Sequence, residues 1–279
     1  MKILITNDDG YSAKGIRTLA RIMKRFGDVA VIAPKRHQSG TGMSVSIGMK
    51  PIAYKDLGTE DGISWAYLDA TPASCVKFAM NFSPFGVEPD IVVSGINHGS
   101  NASSAGCYSG TLGAAAEAAV YGIHAIGVSL DDISHDADFS HVEKHFPSIV
   151  ESLVTMGRPR YGIYYDVNFP SPKKEVKGIR VASMGYSHWV REFHEWDPEY
   201  LKKFGDLSKF YGDPREVHAE DGEKLYMMIG TLVDNEENPS DADHHFLAQG
   251  YITVSAHNAF NSDQTEIQRM LSFGLDRDF

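Results

Sequence analysis

Asp8 and Asp9 are the first residues of the chain whose types and spacing could do chemistry. They follow Lys2-Ile3-Leu4-Ile5-Thr6, a short β-branched run that predicts a buried strand, and Asn7 and Gly10 supply turn chemistry around them. From Gly15 to Phe26, apolar residues recur at Ile16, Leu19, Ala20, Met23 and Phe26, the spacing of a helix. Strand, tight loop and helix together open a parallel α/β sheet, in which ligands bind outside the carboxyl ends of the strands. Such a corner ordinarily receives an anion on the free N–H groups of the helix, yet here it carries two carboxylates. At about 5 Å they would repel each other by roughly 3 kcal/mol at an effective dielectric near ~20, and they would repel a phosphate as well. A divalent cation reverses both signs. Taken alone, the pair is equally satisfied if one Asp caps the helix and the other is solvated in a turn.

Two further loops are expected to reach the same crevice. Val29-Ala30-Val31-Ile32-Ala33 reads as a second parallel strand closed by Pro34, and the loop after it, Lys35 to Gly42, contains Ser39 and Gly40. Asp90 to Ser94 reads as another buried strand, followed by Gly95-Ile96-Asn97-His98-Gly99-Ser100-Asn101 and then Tyr108-Ser109-Gly110-Thr111. Asp8, Asp9, Ser39 and Asn97 thus offer two carboxylates, a hydroxyl and an amide from three strand ends. This all-oxygen set suits one Mg²⁺ or Mn²⁺ per subunit rather than zinc. Asn101, Ser109, Gly110 and Thr111, with Gly40, are placed to hold the oxygens of an anion near a helix start.

The chemistry that fits is metal-assisted hydrolysis of a phosphomonoester, with Asp9 orienting or deprotonating the attacking water. A covalent route through Ser109 or Cys107 is the alternative, although no arginine follows Cys107 at the spacing of a cysteine-phosphatase loop. A nucleotide-binding regulator without turnover could use the same loops. Neither a G-x-G-x-x-G after the first strand nor a P-loop is present.

The elements that must position these residues are legible in outline. Met43 to Ile47, Ile52 to Leu57 and Trp65 to Leu68 read as short strands of a hairpin-rich insertion. Thr71-Pro72 reads as an N-cap and first helical position, opening a helix through Met80 that buries Cys75. The Ala-rich helix Leu112 to Tyr121 is close-packing scaffold, with Glu117 in a structural role. Ala125 to Leu130, Tyr161 to Pro170 and Ile179 to Met184 read as strands, and His141 to Met156 as an outer helix. From Gly185 to Gly250 the chain turns polar, with weak periodicity. Hairpins reaching away from the sheet are expected there, and the adjacent His244 and His245 read as part of a solvated loop rather than as a ligand pair. Tyr251 to Ser255 returns as a strand and Asp263 to Phe273 as a helix.

Composition bounds the partners. The chain has 279 residues, 42% hydrophobic and 23% charged, as in ordinary globular proteins, and a formal net charge of −11. With no basic cluster, a nucleic-acid polymer is not expected as partner, whereas a small phosphorylated substrate is compatible. Two cysteines, no apolar run of membrane-spanning length and a strand starting at residue 2 point to a cytoplasmic protein with free thiols and no membrane contact.

The segments ILITNDDG at 3–10, Gln38-Ser39-Gly40, GINHGSN at 95–101 and YSGT at 108–111 with the Ala-rich helix after it carry a family resemblance. TPASCV at 71–76 and VNFP at 167–170 look like further segments of it. Together they resemble the survival protein SurE family of metal-dependent 5′/3′-nucleotidases. The likeness is strong over residues 1–185 and weaker beyond. It implies a Rossmann-like α/β domain, a three-layer sheet with helices on both faces, over 1–185. A C-terminal hairpin and helix extension would follow over 186–279. It further implies metal ligation by Asp8, Asp9, Ser39 and Asn97, hydrolysis of nucleoside monophosphates with release of inorganic phosphate, some use of short polyphosphate, and dimers or tetramers formed through the extension. Many members carry an acidic residue shortly before the Tyr-Ser-Gly-Thr stretch, where this chain has Ser103-Ser104-Ala105-Gly106-Cys107.

Overall fold

The first strand, β1 (Lys2–Thr6), is buried from Ile3 onward because helices cover both faces of the sheet it lies in. Its alternation sends Ile3 and Ile5 into one core and Leu4 into the other. The Ile3 side is covered by α1 (Lys14–Met23) and α4 (Ser140–Thr155), the Leu4 side by α2 (Pro72–Asn81) and the alanine-rich α3 (Gly110–Val120). This computed structural model describes residues 1–48, 50–197, 199 and 217–272.

Around β1 the sheet contains β2 (Asp28–Pro34), β3 (Tyr54–Glu60), β4 (Ile63–Leu68), β5 (Ile91–His98), β6 (His124–Leu130), β7 (Ile163–Phe169), β8 (Gly178–Val181) and β13 (Tyr251–Asn258). Their order is β3-β4-β2-β1-β5-β6-β7-β13-β8. β4, β2, β1, β5, β6 and β7 run parallel, while β3 and β13 are antiparallel to β4 and β7. Among the parallel strands, chain order reverses between β1 and β5. Connections leave β1 and β5 toward opposite edges, so a crevice opens at their carboxyl ends, where open α/β sheets bind ligands. The expected three-layer α/β architecture is therefore present.

Several expectations shift. Met43 to Ile47 forms no strand, since Met43 and Ile47 are exposed and the segment pairs with nothing in the sheet. The strand read at Ile52 to Leu57 is β3, displaced toward Glu60. It is exposed throughout and held at the sheet edge by backbone pairing to β4, with Tyr54 stacked on Phe78 and Glu60 ion-paired to Arg17 at its two ends, so no apolar alternation marks its bounds. β8 stops at Val181, short of Met184.

Beyond residue 185 the described residues form two small antiparallel pairs. β9 (Ser187–Val190) pairs with β12 (Thr231–Asp234), and β10 (Phe193–Glu195) with β11 (Tyr226–Met228). A short helix, α5 (Asp243–Ala248), follows and contains His244 and His245, which are therefore helical rather than in a loop. The returning strand is β13, and the last helix is α6 (Gln264–Ser272). The expected end of that helix at Phe273, and part of the expected hairpin region, lie outside the described residues. No described helix is long and apolar enough to cross a membrane.

Candidate active site

β1 delivers Asn7, Asp8 and Asp9 to the crevice, and all three are buried. The Asn7 side chain closes the turn, its Nδ2 donating to the Gly10 carbonyl at 3.0 Å and its Oδ1 accepting from the Gly10 N–H at 3.2 Å. Three segments then converge on the two aspartates. Thr111 Oγ1, in the first turn of α3, donates to Asp8 Oδ1 at 2.6 Å. The Gln38 N–H, in the loop after β2, donates to the Asp8 carbonyl at 2.6 Å. The His98 N–H, at the end of β5, donates to Asp9 Oδ2 at 3.2 Å, and His37 Nδ1 lies 3.4 Å from Asp9 Oδ1.

The amino end of α3 comes so close that a side chain at Gly110 has no room. A Cβ there would stand 2.8 Å from Asp8 Cβ and 3.0 Å from Thr41 Oγ1. Ser109 caps the helix, its Oγ accepting from the Leu112 N–H at 3.1 Å, so the helix begins beside Asp8. Burial is the larger cause, and the Asp9 charge the next, of a rise in the Asp8 pKa from 3.8 to about 6. The contacts with Thr111 and His37 offset only part of it.

Asn97 is one residue from the His98 contact, on β5 and buried. Its Nδ2 donates to the Gly99 carbonyl at 2.8 Å, which fixes the amide's orientation and leaves Oδ1 as the acceptor it offers to a ligand. Asn101 is buried and braced twice: its N–H donates to Asn168 Oδ1 at 2.8 Å and its Nδ2 to Ser129 Oγ at 2.8 Å. Ser39 and Gly40 are exposed in the loop after β2. That loop is tied down on either side of them, by Gln38 to Asp8 and by the Gly42 N–H to the Tyr108 carbonyl at 2.9 Å.

Asp8, Asp9, Asn97 and the start of α3 thus meet at one corner, Asn101 lies against Ser129 and Asn168 on β6 and β7, and two further differences appear in detail. The Thr111 hydroxyl is committed to Asp8, so what it has to offer an anion is its main-chain N–H. Ser39 stands at the rim rather than among the buried carboxylates. Sequence reasoning missed His37, Ser129 and Asn168. His37 lay in the loop read for Ser39 and Gly40, and Asn168 in VNFP, noted only as a segment of the family resemblance. Glu117 has the structural role expected of it, ion-paired to Lys77 at 2.6 Å. Cys75 is fully buried, which pushes its thiol pKa well up, and Cys107 is exposed; both are free.

A hard divalent cation fits these donors. Two adjacent carboxylates and an amide oxygen are acceptors of the type such ions take. Asp8 is buried beside the like charge of Asp9, and among the described residues no lysine or arginine is bonded or ion-paired to either carboxylate.

Known proteins bear on this geometry. A family model described as "Survival protein SurE" matches residues 3–191. A protein named 5′-nucleotidase SurE from Cytophaga hutchinsonii is 38% identical over 253 residues, covering 90% of this chain and 88% of its own. Its namesake from Bacteroides fragilis is 32% identical over 253 residues, covering 91% and 89%. The crystal structure of a SurE protein from Aquifex aeolicus superposes with a TM-score of 0.72 at 25% identity, covering 98% of this chain and 99% of that one. A chain matched by the family model from its first strand to β9, on a sheet with the same architecture, belongs to the survival protein SurE family.

Proposed function

We propose that this crevice hydrolyses nucleoside 5′-monophosphates to nucleoside and phosphate. The observation that carries the reading is the pair of buried carboxylates facing the amino end of α3 at the point where strand order reverses. The relatives' name, 5′-nucleotidase SurE, supports the substrate class.

Asp8, Asp9 and Asn97 would hold one divalent cation, Mg²⁺ or Mn²⁺, with Ser39 added from the rim. When bound it would supply Lewis acidity to a phosphoryl oxygen and make a neighbouring water more acidic. The chain's own groups do the rest. Thr111 holds Asp8 in place, and the His98 N–H does the same for Asp9. The first-turn N–H groups of α3, at Gly110 and Thr111, receive phosphate oxygens, aided by the helix dipole. Ser109 keeps its hydroxyl proton for a further phosphate oxygen while its lone pair caps the helix, and Gly40, at a φ of +75°, turns the rim loop. Asn101, clamped by Asn168 and Ser129, presents its carboxamide from the opposite wall. Asp9 accepts the proton of the attacking water as the new P–O bond forms, and the ester P–O bond breaks, the leaving nucleoside oxygen taking its proton from solvent.

Asp9→Asn should lower turnover of para-nitrophenyl phosphate and of AMP with Mn²⁺ or Mg²⁺ by roughly a hundredfold or more, without lowering the thermal midpoint. Undiminished turnover in both Asp8→Asn and Asp9→Asn proteins would refute the reading. The same assay run on 3′-monophosphates and short polyphosphate defines the substrate range. Trp189, Phe193, Tyr226 and Met228, exposed on the hairpins after residue 185, support assigning homo-oligomer contacts to that extension, and the free thiols suit a cytoplasmic setting.

A further inference from the structure

Outside the crevice, three potential metal ligands meet on the extension. Asp234 ends β12, and His244 and His245 stand in the first turn of α5. His244 Nε2 lies 2.9 Å from Asp234 Oδ1, and His245 Nε2 lies 2.7 Å from Asp234 Oδ2. One ligand atom from each of the three lies within 4.8 Å of the others.

The donor count of His244 is informative. Its Nδ1 also faces a carboxylate, Asp243 Oδ1 at 3.4 Å. A neutral imidazole has one N–H to give and cannot donate to both. With the proton on Nδ1, its Nε2 lone pair is turned on the lone pairs of Asp234. Protonating His244 alone would satisfy both of its contacts, at the cost of a cation packed against the His245 ring, their centroids 4.2 Å apart. One cation shared by two Nε2 atoms and a carboxylate oxygen satisfies every lone pair.

The surroundings are built for that. Asp243 is fully buried and held by the N–H groups of Ser103, Gly185 and His244. It is thus fixed in the position of the carboxylate that orients a metal-binding histidine from behind. Gly185 packs against the His244 ring, where a Cβ would overlap Nδ1. Asn238 donates to Asp234 Oδ1 and to the Tyr186 carbonyl, pinning the carboxylate.

We propose that Asp234, His244 and His245 form a second metal site, for a borderline ion of the Zn²⁺ class, with water in the fourth position. Two imidazole nitrogens and one carboxylate oxygen form the donor set zinc prefers, in contrast to the all-oxygen crevice. Its consequence is mechanical: the ion fastens β12 to α5. Through Asp243 and the Ser103 N–H it also steadies the turn at residues 103–108 that leads into α3.

The test uses the full chain, stripped with chelator and then dialysed against Zn²⁺ with excess Mg²⁺ present to fill the oxygen-rich crevice. One tightly held zinc per chain is expected, along with a rise in thermal midpoint. Co²⁺ in its place should give the intense visible absorption of four-coordinate cobalt. His245→Gln and Asp234→Asn should each weaken zinc retention by roughly tenfold or more and abolish the cobalt band, while Asp9→Asn should keep both. The proposal is overturned if zinc washes out of the unaltered protein. It is equally overturned if retention is the same in His245→Gln, or if cobalt shows only the weak spectrum of an octahedral ion; the triad is then an ion-paired cluster and nothing more.

Discussion

Asp166, on β7, is fully buried; its Oδ2 accepts from Asn168 Nδ2 at 2.8 Å, and His257 Nε2 lies 4.0 Å away. Burial raises its pKa from 3.8 to about 7, with the bond from Asn168 opposing and the Asp243 charge adding to the rise. Tyr164 stacks on the His257 ring, and burial lowers the pKa of that histidine, so the groups facing Asp166 offer little positive charge. The sign follows from proton counts. Between about pH 4 and 7 the folded chain holds a proton that the unfolded chain has lost, so this residue's contribution to stability falls as pH rises through that window. Asp166→Asn should remove that slope and raise the thermal midpoint at pH 8 relative to the unaltered protein, while the two midpoints converge near pH 4. Thermal melts across that range check it.

At the scale of elements, the approach of α3 to β1 decides whether the crevice works. Gly110→Ala must push the helix start away from Asp8 and Thr41, at a cost of about 1–3 kcal/mol in stability. The shift would carry Thr111 off Asp8, and turnover should fall by roughly a hundredfold, the size of effect expected for a displacement near 1 Å; kinetics beside a thermal melt separate the two losses. The strands feeding this corner were legible because each is a short apolar run ended by turn residues: Ile3 to Thr6, Val29 to Ala33 and Ile91 to Ser94 all lie where those runs predict. So was the placement of Asp8, Asp9 and Asn97, since chain position at or just past the carboxyl end of a parallel strand puts them at one end of the sheet. What stayed hidden depends on distant packing. Nothing local says that Thr111 bonds a residue 103 positions away, or that Asn168 braces one 67 positions away. Met43 to Ile47 has the composition of a strand, but it pairs with no strand of the sheet.

For the molecule as a whole, β1 is the common wall of both cores. Leu4 is 1% exposed and packs on the α2 and α3 side, opposite Ile3 and Ile5. Leu4→Ala should destabilise the fold by about 2–5 kcal/mol, and denaturant unfolding should remain a single transition, because the two helix layers share the strand that is weakened. Two separated transitions would show that the layers melt independently.

β13 lies between β7 and β8, pairing antiparallel with one and parallel with the other. On the ribosome, residues 163–181 emerge long before residues 251–258, so one side of β7 has no partner until most of the chain has been made. A product released early, after residue 185, would present that open ladder to its neighbours, the usual beginning of aggregation. The cell's synthesis machinery must therefore deliver the late strand before the early ones can be sealed.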